Sequence, residues 1–217
     1  MSDSKVTVYP GQSVDVSWDG RLCIHVGECG RAAGSLFEGG RKPWCDPDVT
    51  SADAVQAVVE RCPSGALSAV RKDGGPREAP PPTNTIHVAN NGPLYVTGEL
   101  NIDGARTDQP GLMTRAALCR CGQSANKPFC DGSHERVGFV DRGAIGEVGS
   151  GLAAEGGELN IRRAPNGPLL VSGNVTVVAG SGRAAWRGAK AALCRCGGSA
   201  NKPFCDGTHR AIGFQAE

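Results

Sequence analysis

The sequence contains few of the residues that build large cores. Of its 217 residues, 5% are aromatic and only 2 are methionine. A chain of this length predicts two or three small domains, and small cores usually need covalent or metal cross-links. No apolar run approaches the ~18 residues of a membrane span, and the N-terminus has no apolar signal segment.

Charge of one sign is not in excess either. The 23 Lys and Arg residues face 22 Asp and Glu residues, which gives a net charge of +1. This balance argues against a nucleic-acid partner or a membrane surface. The sequence also has no nucleophile–base pairing and no dinucleotide glycine fingerprint. We therefore expect a soluble cytoplasmic protein that is not an enzyme and whose thiols stay reduced.

Cysteine, in contrast, is abundant. Two groups contain three cysteines each, so disulfides within a group would leave one thiol over. Three of the four histidines also lie inside the cysteine groups, which favours metal ligation over a disulfide framework, whereas His87 is interpreted as a strand residue. The groups are Cys23, Cys29, Cys45 and Cys62 with His25; Cys119, Cys121 and Cys130 with His134; and Cys194, Cys196 and Cys205 with His209.

Residues 1–71 predict one small α+β unit. Alternating apolar and polar residues predict strands at 6–9 and 14–18. Ser51 can cap a helix whose apolar stripe runs to Cys62, and a further strand is expected at 66–70. Residues 72–85 contain glycines and prolines but no core-forming residues, which predicts an extended linker.

The rest of the chain is a duplication. Residues 116–134 recur 75 positions later with two differences, and residues 91–98 recur at the same offset. We call residues 86–145 the first repeat and residues 146–217 the second repeat. Two similar small units predict one closed body with an internal pseudo-two-fold axis, which buries related faces as a symmetric dimer does.

The cysteine motif of each repeat is Cys-x-Cys-x8-Cys-x3-His. Three thiolates and one imidazole give four ligands. Zinc accepts this set, although its usual sites separate the first two cysteines by two to four residues. A [2Fe–2S] cluster also takes four ligands, and histidine can replace cysteine on one iron. The spacing alone leaves zinc and iron–sulfur equally open.

The two motifs resemble the CDGSH iron–sulfur domain, the mitoNEET-like family. Every defined position of that family's motif is filled twice, by Cys119, Cys121, Ser124, Pro128, Cys130, Asp131, Gly132, Ser133 and His134, and by Cys194, Cys196, Ser199, Pro203, Cys205, Asp206, Gly207, Thr208 and His209. The resemblance implies one [2Fe–2S] cluster per repeat, with the first two cysteines on an inner iron. The third cysteine and the histidine would hold an outer iron near solvent.

Residues around the ligands have expected roles of their own. Ser124 and Ser199 could donate hydrogen bonds to sulfur, and Asp131 and Asp206 could hold the ligand loop. Simple loop structure is the alternative for all four. Arg120 and Arg195, between the paired cysteines, could offset cluster charge or be solvated, and we favour solvation.

The N-terminal unit resembles the divergent mono-cluster ferredoxin domain that sometimes accompanies CDGSH motifs. The resemblance rests on Cys23-Ile-His, Lys42-Pro-Trp44 and Cys62-Pro-Ser-Gly-Ala-Leu. It implies a small ferredoxin-like fold and a [3Fe–4S] or [4Fe–4S] cluster. Cys23, Cys29 and Cys62 would be the thiolates, with His25 or Cys45 as a candidate fourth ligand. Val26 stands where ferredoxins have their middle cysteine, so a domain without a cluster is the alternative.

Together these features predict an α+β iron–sulfur protein in three parts. The expected divisions are a ferredoxin-like domain at 1–75, a linker at 76–85 and two β-rich CDGSH units at 86–145 and 146–217. The expected role is electron transfer, or storage and transfer of clusters, with a redox protein or an apo-protein acceptor as partner. The expected state is a monomer with an internal pseudo-dimer. Rival interpretations are a zinc-stapled interaction module and a redox subunit of an enzyme complex.

Overall fold

The computed structural model describes residues 6–32, 34–105, 109–152 and 154–216, so the first five residues and the last residue of the predicted domains lie outside it. Strands dominate a mixed α+β fold. In the described residues the strands are β1 Thr7–Tyr9, β2 Val14–Trp18, β3 Leu67–Arg71, β4 Thr85–Val88, β5 Leu94–Thr97, β6 Glu99–Ile102, β7 Arg115–Leu118, β8 Glu158–Arg163, β9 Leu169–Val178 and β10 Ala184–Leu193. The α-helices are α1 Ala52–Val59, α2 Ser133–Arg136 and α3 Thr208–Ala211, and short 3-10 helices span Pro47–Val49 and Pro110–Met113.

The N-terminal part is an antiparallel three-stranded sheet in the order β1-β2-β3 with one helix. The Ser51 hydroxyl accepts a hydrogen bond from the Ala54 N–H at 3.3 Å, so the predicted cap is confirmed. Val55 and Val59 of α1 are fully buried and share a core with Val14 and Val16 of β2. The predicted strands are confirmed and so is the start of the helix, but α1 ends at Val59, so Cys62 lies beyond the helix. The ferredoxin-like fold stays a prediction.

The predicted linker ends inside the body of the protein. Thr85, its last residue, begins β4. Asn84 is 2% exposed, and its side-chain amide donates to the carbonyl groups of Gly157 at 2.8 Å and Asn174 at 2.9 Å. A buried amide with these partners joins the end of the linker to the second repeat.

The two repeats build one seven-stranded sheet. Its order is β6-β8-β9-β4-β5-β7, and β10 also pairs with β9. Within the first repeat β4, β5 and β7 are antiparallel, and within the second repeat β8, β9 and β10 are antiparallel. Alternate residues of these strands are buried in one apolar cluster that includes members of both repeats.

Each repeat also pairs with a strand of the other repeat. In the parallel pairing of β4 with β9, Thr85 lies opposite Thr176. In the parallel pairing of β6 with β8, Asn101 lies opposite Asn160. Thr85 of the first repeat corresponds to Asn160 of the second, and Thr176 of the second corresponds to Asn101 of the first. The second pairing is therefore the first pairing with the two repeats exchanged, as is expected of a two-fold relation.

Candidate metal centres

The ligand loops, residues 119–134 and 194–209, begin where a strand ends. Strand β7 leads directly into Cys119. The Cys119 N–H donates to the Pro128 carbonyl at 2.8 Å, and the Cys130 N–H donates to the Ala117 carbonyl at 2.8 Å. These bonds return the chain to its starting point and bring the third cysteine beside the first two. The second ligand loop repeats both bonds at Cys194 and Cys205.

The paired cysteines have the spacing of two thiolates on one metal. The Sγ atoms of Cys119 and Cys121 are 3.8 Å apart, and those of Cys194 and Cys196 are 3.7 Å apart. Two thiolates bound at about 2.3 Å to one tetrahedral ion would lie about 3.8 Å apart. Each predicted inner pair therefore fits one tetrahedral metal.

The predicted outer ligands differ between the repeats. His134 Nδ1 lies 3.3 Å from Cys130 Sγ, close to the roughly 3.5 Å expected for nitrogen and sulfur on one tetrahedral ion. In the second repeat His209 Nδ1 instead lies 2.9 Å from the Asn166 carbonyl oxygen. Cys130 is 2% exposed, whereas Cys205 is partly exposed. The second outer pair is thus more open, and one ring nitrogen of its histidine contacts a backbone carbonyl.

The ligands of the first repeat form an inner pair and an outer pair. The second repeat forms the inner pair, whereas His209 contacts a backbone carbonyl. A mononuclear zinc site needs four ligands around one point. A two-iron cluster needs two ligands on each iron. The two pairs of the first repeat fit the second type of site.

Burial and the hydrogen bond between two of the thiols shift the pKa values of the cysteines in the first repeat. The hydrogen bond between Cys119 and Cys121 lowers the pKa of Cys121 and raises the pKa of Cys119. Burial raises the pKa of Cys130 to about 11. Bound metal must displace these protons because the thiolate is the ligand.

The serine and aspartate side chains beside the ligands hold the loops in shape. Ser124 Oγ donates to the Phe129 carbonyl at 2.7 Å, so its proton goes to a carbonyl and not to sulfur. Ser199 does the same with Phe204. Asp131 accepts from the Ala125 N–H at 2.8 Å and from the Ser133 N–H at 3.0 Å. Loop structure is therefore the role that the contacts support.

Asp206 repeats the contacts of Asp131 in the second ligand loop. It accepts from the Ala200 N–H at 2.8 Å and from the Thr208 N–H at 3.0 Å. The bonds from Thr208, followed by the one from Ala200, hold the pKa of the Asp206 carboxyl well below its usual range. Hydrogen bonds that favour the charged carboxylate have this effect.

Backbone N–H groups also donate hydrogen bonds to the ligand sulfur atoms. The Gln123 and Gly132 N–H groups donate to Cys121 and Cys130 at 3.5 Å. In the second repeat Gly198 and Gly207 donate to Cys196 and Cys205, both at 3.4 Å. These donors stabilise thiolate charge without any side chain.

Three N-terminal cysteines line one cavity. Cys23, Cys29 and Cys62 border a cavity of about 480 Å³ with His25, Trp18 and Trp44. Burial, followed by the nearby thiols of Cys62 and Cys23, raises the pKa of Cys29. The three thiols therefore open onto one cavity that also has aromatic side chains in its wall.

The two candidate fourth ligands have different surroundings. His25 Nδ1 lies 3.9 Å from Cys23 Sγ, at the edge of the cavity. Cys45 is 0% exposed and belongs to the N-terminal hydrophobic core rather than to the cavity wall. This burial supports Cys45 as an ordinary buried thiol, which is the alternative to Cys45 as a ligand. All ten cysteines are free thiols.

Comparison with known proteins finds a family match for each of the three regions that carry the cysteine groups. Residues 91–135 and 166–210 match the family described as "Iron-binding zinc finger CDGSH type", and residues 9–72 match the "Divergent 4Fe-4S mono-cluster" family. The chain therefore contains two CDGSH domains in tandem after a divergent 4Fe-4S mono-cluster domain. These domains indicate an iron–sulfur protein.

Two curated relatives match the N-terminal part. Both carry the name "Uncharacterized protein YjdI", one from Escherichia coli K12 and one from Escherichia coli O157:H7. Each is 42% identical over 65 residues, which is 30% of this chain and 86% of the relative. No solved structure matches the chain significantly. None of the described helices combines the length and the apolarity that a membrane crossing requires.

The arginine between the paired cysteines of each CDGSH domain is buried, so the expectation of solvated side chains is wrong. Arg120 and Arg195 are each 1% exposed. Arg120 donates to the carbonyls of Gly92 at 3.0 Å and Ala89 at 2.5 Å, and it forms an ion pair with Asp141. Carbonyl and carboxylate oxygens accept hydrogen bonds from the guanidinium group, and these bonds offset the free-energy cost of burying its charge.

Arg195 repeats this arrangement in the second CDGSH domain. It donates to the carbonyls of Gly167 at 2.9 Å and Ala164 at 2.8 Å. Its guanidinium also lies 5.5 Å from the Phe214 ring, as Arg120 lies 5.0 Å from Phe139. Each arginine therefore ties the ligand loop to the tail of its own domain and to the turn that precedes its second strand.

Sequence reasoning missed two residues that act with the arginines. Asn91 and Asn166 have positive φ values of 53° and 50°. Asn91 accepts from the Asp141 N–H at 2.8 Å, and Asn166 accepts from the Ala216 N–H at 2.8 Å. Asparagine tolerates this left-handed conformation better than most residues. Their recurrence at the same offset as the cysteines was the available signal.

Proposed function

We propose that the protein binds one [2Fe–2S] cluster in each CDGSH domain through three cysteines and one histidine, and transfers single electrons. The observation that carries the proposal is the arrangement of the first domain's donors as two pairs with metal-ligand separations, of which the inner pair recurs in the second domain. Cys119 and Cys121 would hold one iron of the first cluster, and Cys130 and His134 the other. Cys194 with Cys196, and Cys205 with His209, would do so in the second. The cluster supplies reversible uptake of one electron.

The two CDGSH domains would form a pseudo-two-fold body within one chain. The reciprocal pairing of β4 with β9 and of β6 with β8 supports this arrangement. So does the single apolar cluster that includes both domains. Such a body needs no second chain, so we expect a monomer. The ten free thiols suit a reducing compartment such as the cytoplasm.

The N-terminal domain would hold a third cluster, of the [3Fe–4S] or [4Fe–4S] type. Cys23, Cys29 and Cys62 would provide thiolates, with His25 as the candidate fourth ligand. Their common cavity and the match to a mono-cluster family support this assignment. The role is transfer of electrons to a redox partner rather than catalysis on a small substrate.

Cluster transfer to an apo-protein is a second candidate function, and one observation favours it. Cys205 is partly exposed and His209 is turned to the Asn166 carbonyl, whereas Cys130 and His134 face each other in the first domain. A cluster with an open outer iron can be passed to another set of thiolates. We therefore expect any transferable cluster to be the one in the second domain.

Anaerobic titration with a one-electron reductant tests the proposal. Visible absorbance should bleach with one electron per [2Fe–2S] cluster. The Cys121→Ser and Cys196→Ser variants should each take up one electron fewer than the wild type, because each removes one inner ligand. A zinc-stapled interaction module would be colourless and take up no electrons.

A further inference from the structure

The N-terminal domain contacts the first CDGSH domain through a buried arginine that the second domain does not have. Arg115 in β7 is 4% exposed and donates to the carbonyls of Cys62 at 2.6 Å, Leu67 at 2.8 Å and Val59 at 3.1 Å. Its counterpart in the second domain is Lys190, which is exposed. The Cys62 loop, which carries a candidate ligand of the third cluster, is therefore fixed to the first domain.

A second contact joins the first ligand loop to the N-terminal segment that precedes Cys23. The side-chain amide of Asn126, inside the first ligand loop, donates to the Arg21 carbonyl at 2.9 Å. Leu22 and Phe129, which precede Cys23 and Cys130 directly in sequence, belong to one apolar cluster. In the second domain the equivalent Asn201 donates to Glu147 instead. The contact is therefore specific to the first domain.

Tyr95 lies in β5, next to the strand that leads into the first ligand loop. In the antiparallel pairing of β5 with β7 it lies opposite Ala117, whose carbonyl accepts the Cys130 N–H. Thr97, two residues on and on the same face, lies opposite Arg115. Burial first, and then the groups of Cys130, Glu135 and Cys62, raise the pKa of Tyr95. Tyr95 thus shares a sheet face with Arg115, which contacts the Cys62 loop, and lies opposite the residue that binds the Cys130 N–H.

The second domain has no equivalent bridge. The residue that corresponds to Tyr95 is Leu170, which is 46% exposed. However, the two CDGSH ligand loops touch each other directly. A Cβ atom on Gly197 would lie 2.6 Å from the Cys121 carbonyl oxygen, and one on Gly122 would collide with the Cys196 carbonyl. The first ligand loop therefore has close neighbours on both sides.

The geometry points to an electron route in fixed order, from the N-terminal cluster across Tyr95 and Arg115 to the first CDGSH cluster, and only from there to the second. This inference rests on the proposed function. In the first step the N-terminal cluster is oxidised by one electron and the first [2Fe–2S] cluster is reduced by one electron, with no bond made or broken. A reduced ferredoxin-type protein would then return one electron to the N-terminal cluster. The same steps run in reverse when the second cluster is the donor.

Electron paramagnetic resonance of the fully reduced, full-length protein tests the order. His134→Cys and His209→Cys each alter one [2Fe–2S] signal and so assign the signals to the two domains. The first-domain signal should be broadened and relax faster through the spin of the N-terminal cluster. This extra relaxation should be lost in Cys29→Ser, which removes one thiolate of the third cluster at a site away from the contact. Equal or stronger coupling to the second-domain signal would overturn the inference.

Substitutions that give the first CDGSH domain the residues of the second test the role of Tyr95 and Arg115. Tyr95→Leu and Arg115→Lys give the first domain the residues of the second, and they should slow electron arrival at the first cluster after rapid mixing with reduced ferredoxin. Leu170→Tyr should leave that rate unchanged. Unchanged rates in both bridge variants would contradict the route. Two [2Fe–2S] clusters with no N-terminal cluster would overturn this inference alone, whereas absence of inorganic sulfide would overturn the proposed function too.

Discussion

Gly197 lies against the carbonyl group of Cys121 in the other CDGSH domain, and Gly122 lies against that of Cys196. Both glycines have a φ of +81° and both follow the second cysteine of their motif. The two ligand loops are therefore in backbone contact at this point. Glycine is required twice over, since the space admits no Cβ and the conformation is left-handed.

Replacing Gly122 with alanine should weaken both clusters and lower the free energy of unfolding. The new methyl group meets the Cys196 backbone, so the loops must separate. Gly132→Ala is the matched control, because Gly132 has a φ of +80° but no atom within 4 Å of a Cβ. In the control, only backbone strain should lower the free energy of unfolding, by about 1–3 kcal/mol. Anaerobic denaturation followed by visible absorbance measures both, and equal losses would show that the contact contributes nothing.

Replacing Arg120 with methionine should lower the free energy of unfolding by about 3–5 kcal/mol. The change leaves Asp141 and the carbonyls of Ala89 and Gly92 without their buried donor. Arg142→Met, at an exposed position, should change the free energy of unfolding by no more than about 0.5 kcal/mol. Denaturant titration of the full chain gives both values. A loss at Arg120 no larger than at Arg142 would mean that the buried bonds are not stabilising.

The two CDGSH clusters should have different reduction potentials. His134 Nε2 lies 3.9 Å from Glu135 of the first domain, where the second domain has Arg210. Negative charge disfavours reduction and positive charge favours it, so the first cluster should have the lower potential. Exposed charge pairs are worth up to about 1 kcal/mol, which is about 40 mV for a one-electron couple.

Exchanging these charges tests the difference. Glu135→Arg should raise the potential of the first cluster, and Arg210→Glu should lower that of the second. Both shifts should shrink in high salt, because salt screens exposed charges. Glu155→Arg makes the same charge change at an exposed position shortly before β8 and should leave both potentials unchanged. A redox titration followed by paramagnetic resonance decides, and identical potentials in all variants would refute the charge effect.

Stability of the N-terminal domain should fall in alkaline solution because of Cys45. Burial raises the pKa of its thiol to about 12 in the folded chain, from an ordinary value near 9. The unfolded chain therefore loses this proton first, so the stabilisation is complete below about pH 9 and is lost as pH rises towards 12. Cys45→Ala should flatten the slope of unfolding free energy against pH in this window. Tryptophan fluorescence, with Trp44 adjacent in sequence, reports the transition, and an unchanged slope would contradict the assignment.

The local signals in the sequence predicted local structure well. Ser51 caps its helix, the alternating residues form their strands, and the paired cysteines approach each other, because each of these follows from neighbours along the chain. Burial of Arg120 and Arg195 was not predictable from residue type, since arginine is mostly exposed. Its partners, such as Gly92, are distant in sequence and meet it only after the strands pair. The parallel pairing between repeats, and the contact of Arg115 with Cys62, are non-local for the same reason.

Measurement of iron, zinc and acid-labile sulfide per chain in anaerobically purified protein tests the central claim most directly. The account predicts a red-brown protein with about four iron atoms and about four sulfide ions in the two CDGSH domains, and additional iron and sulfide if the N-terminal cluster is bound. Zinc without inorganic sulfide would contradict it.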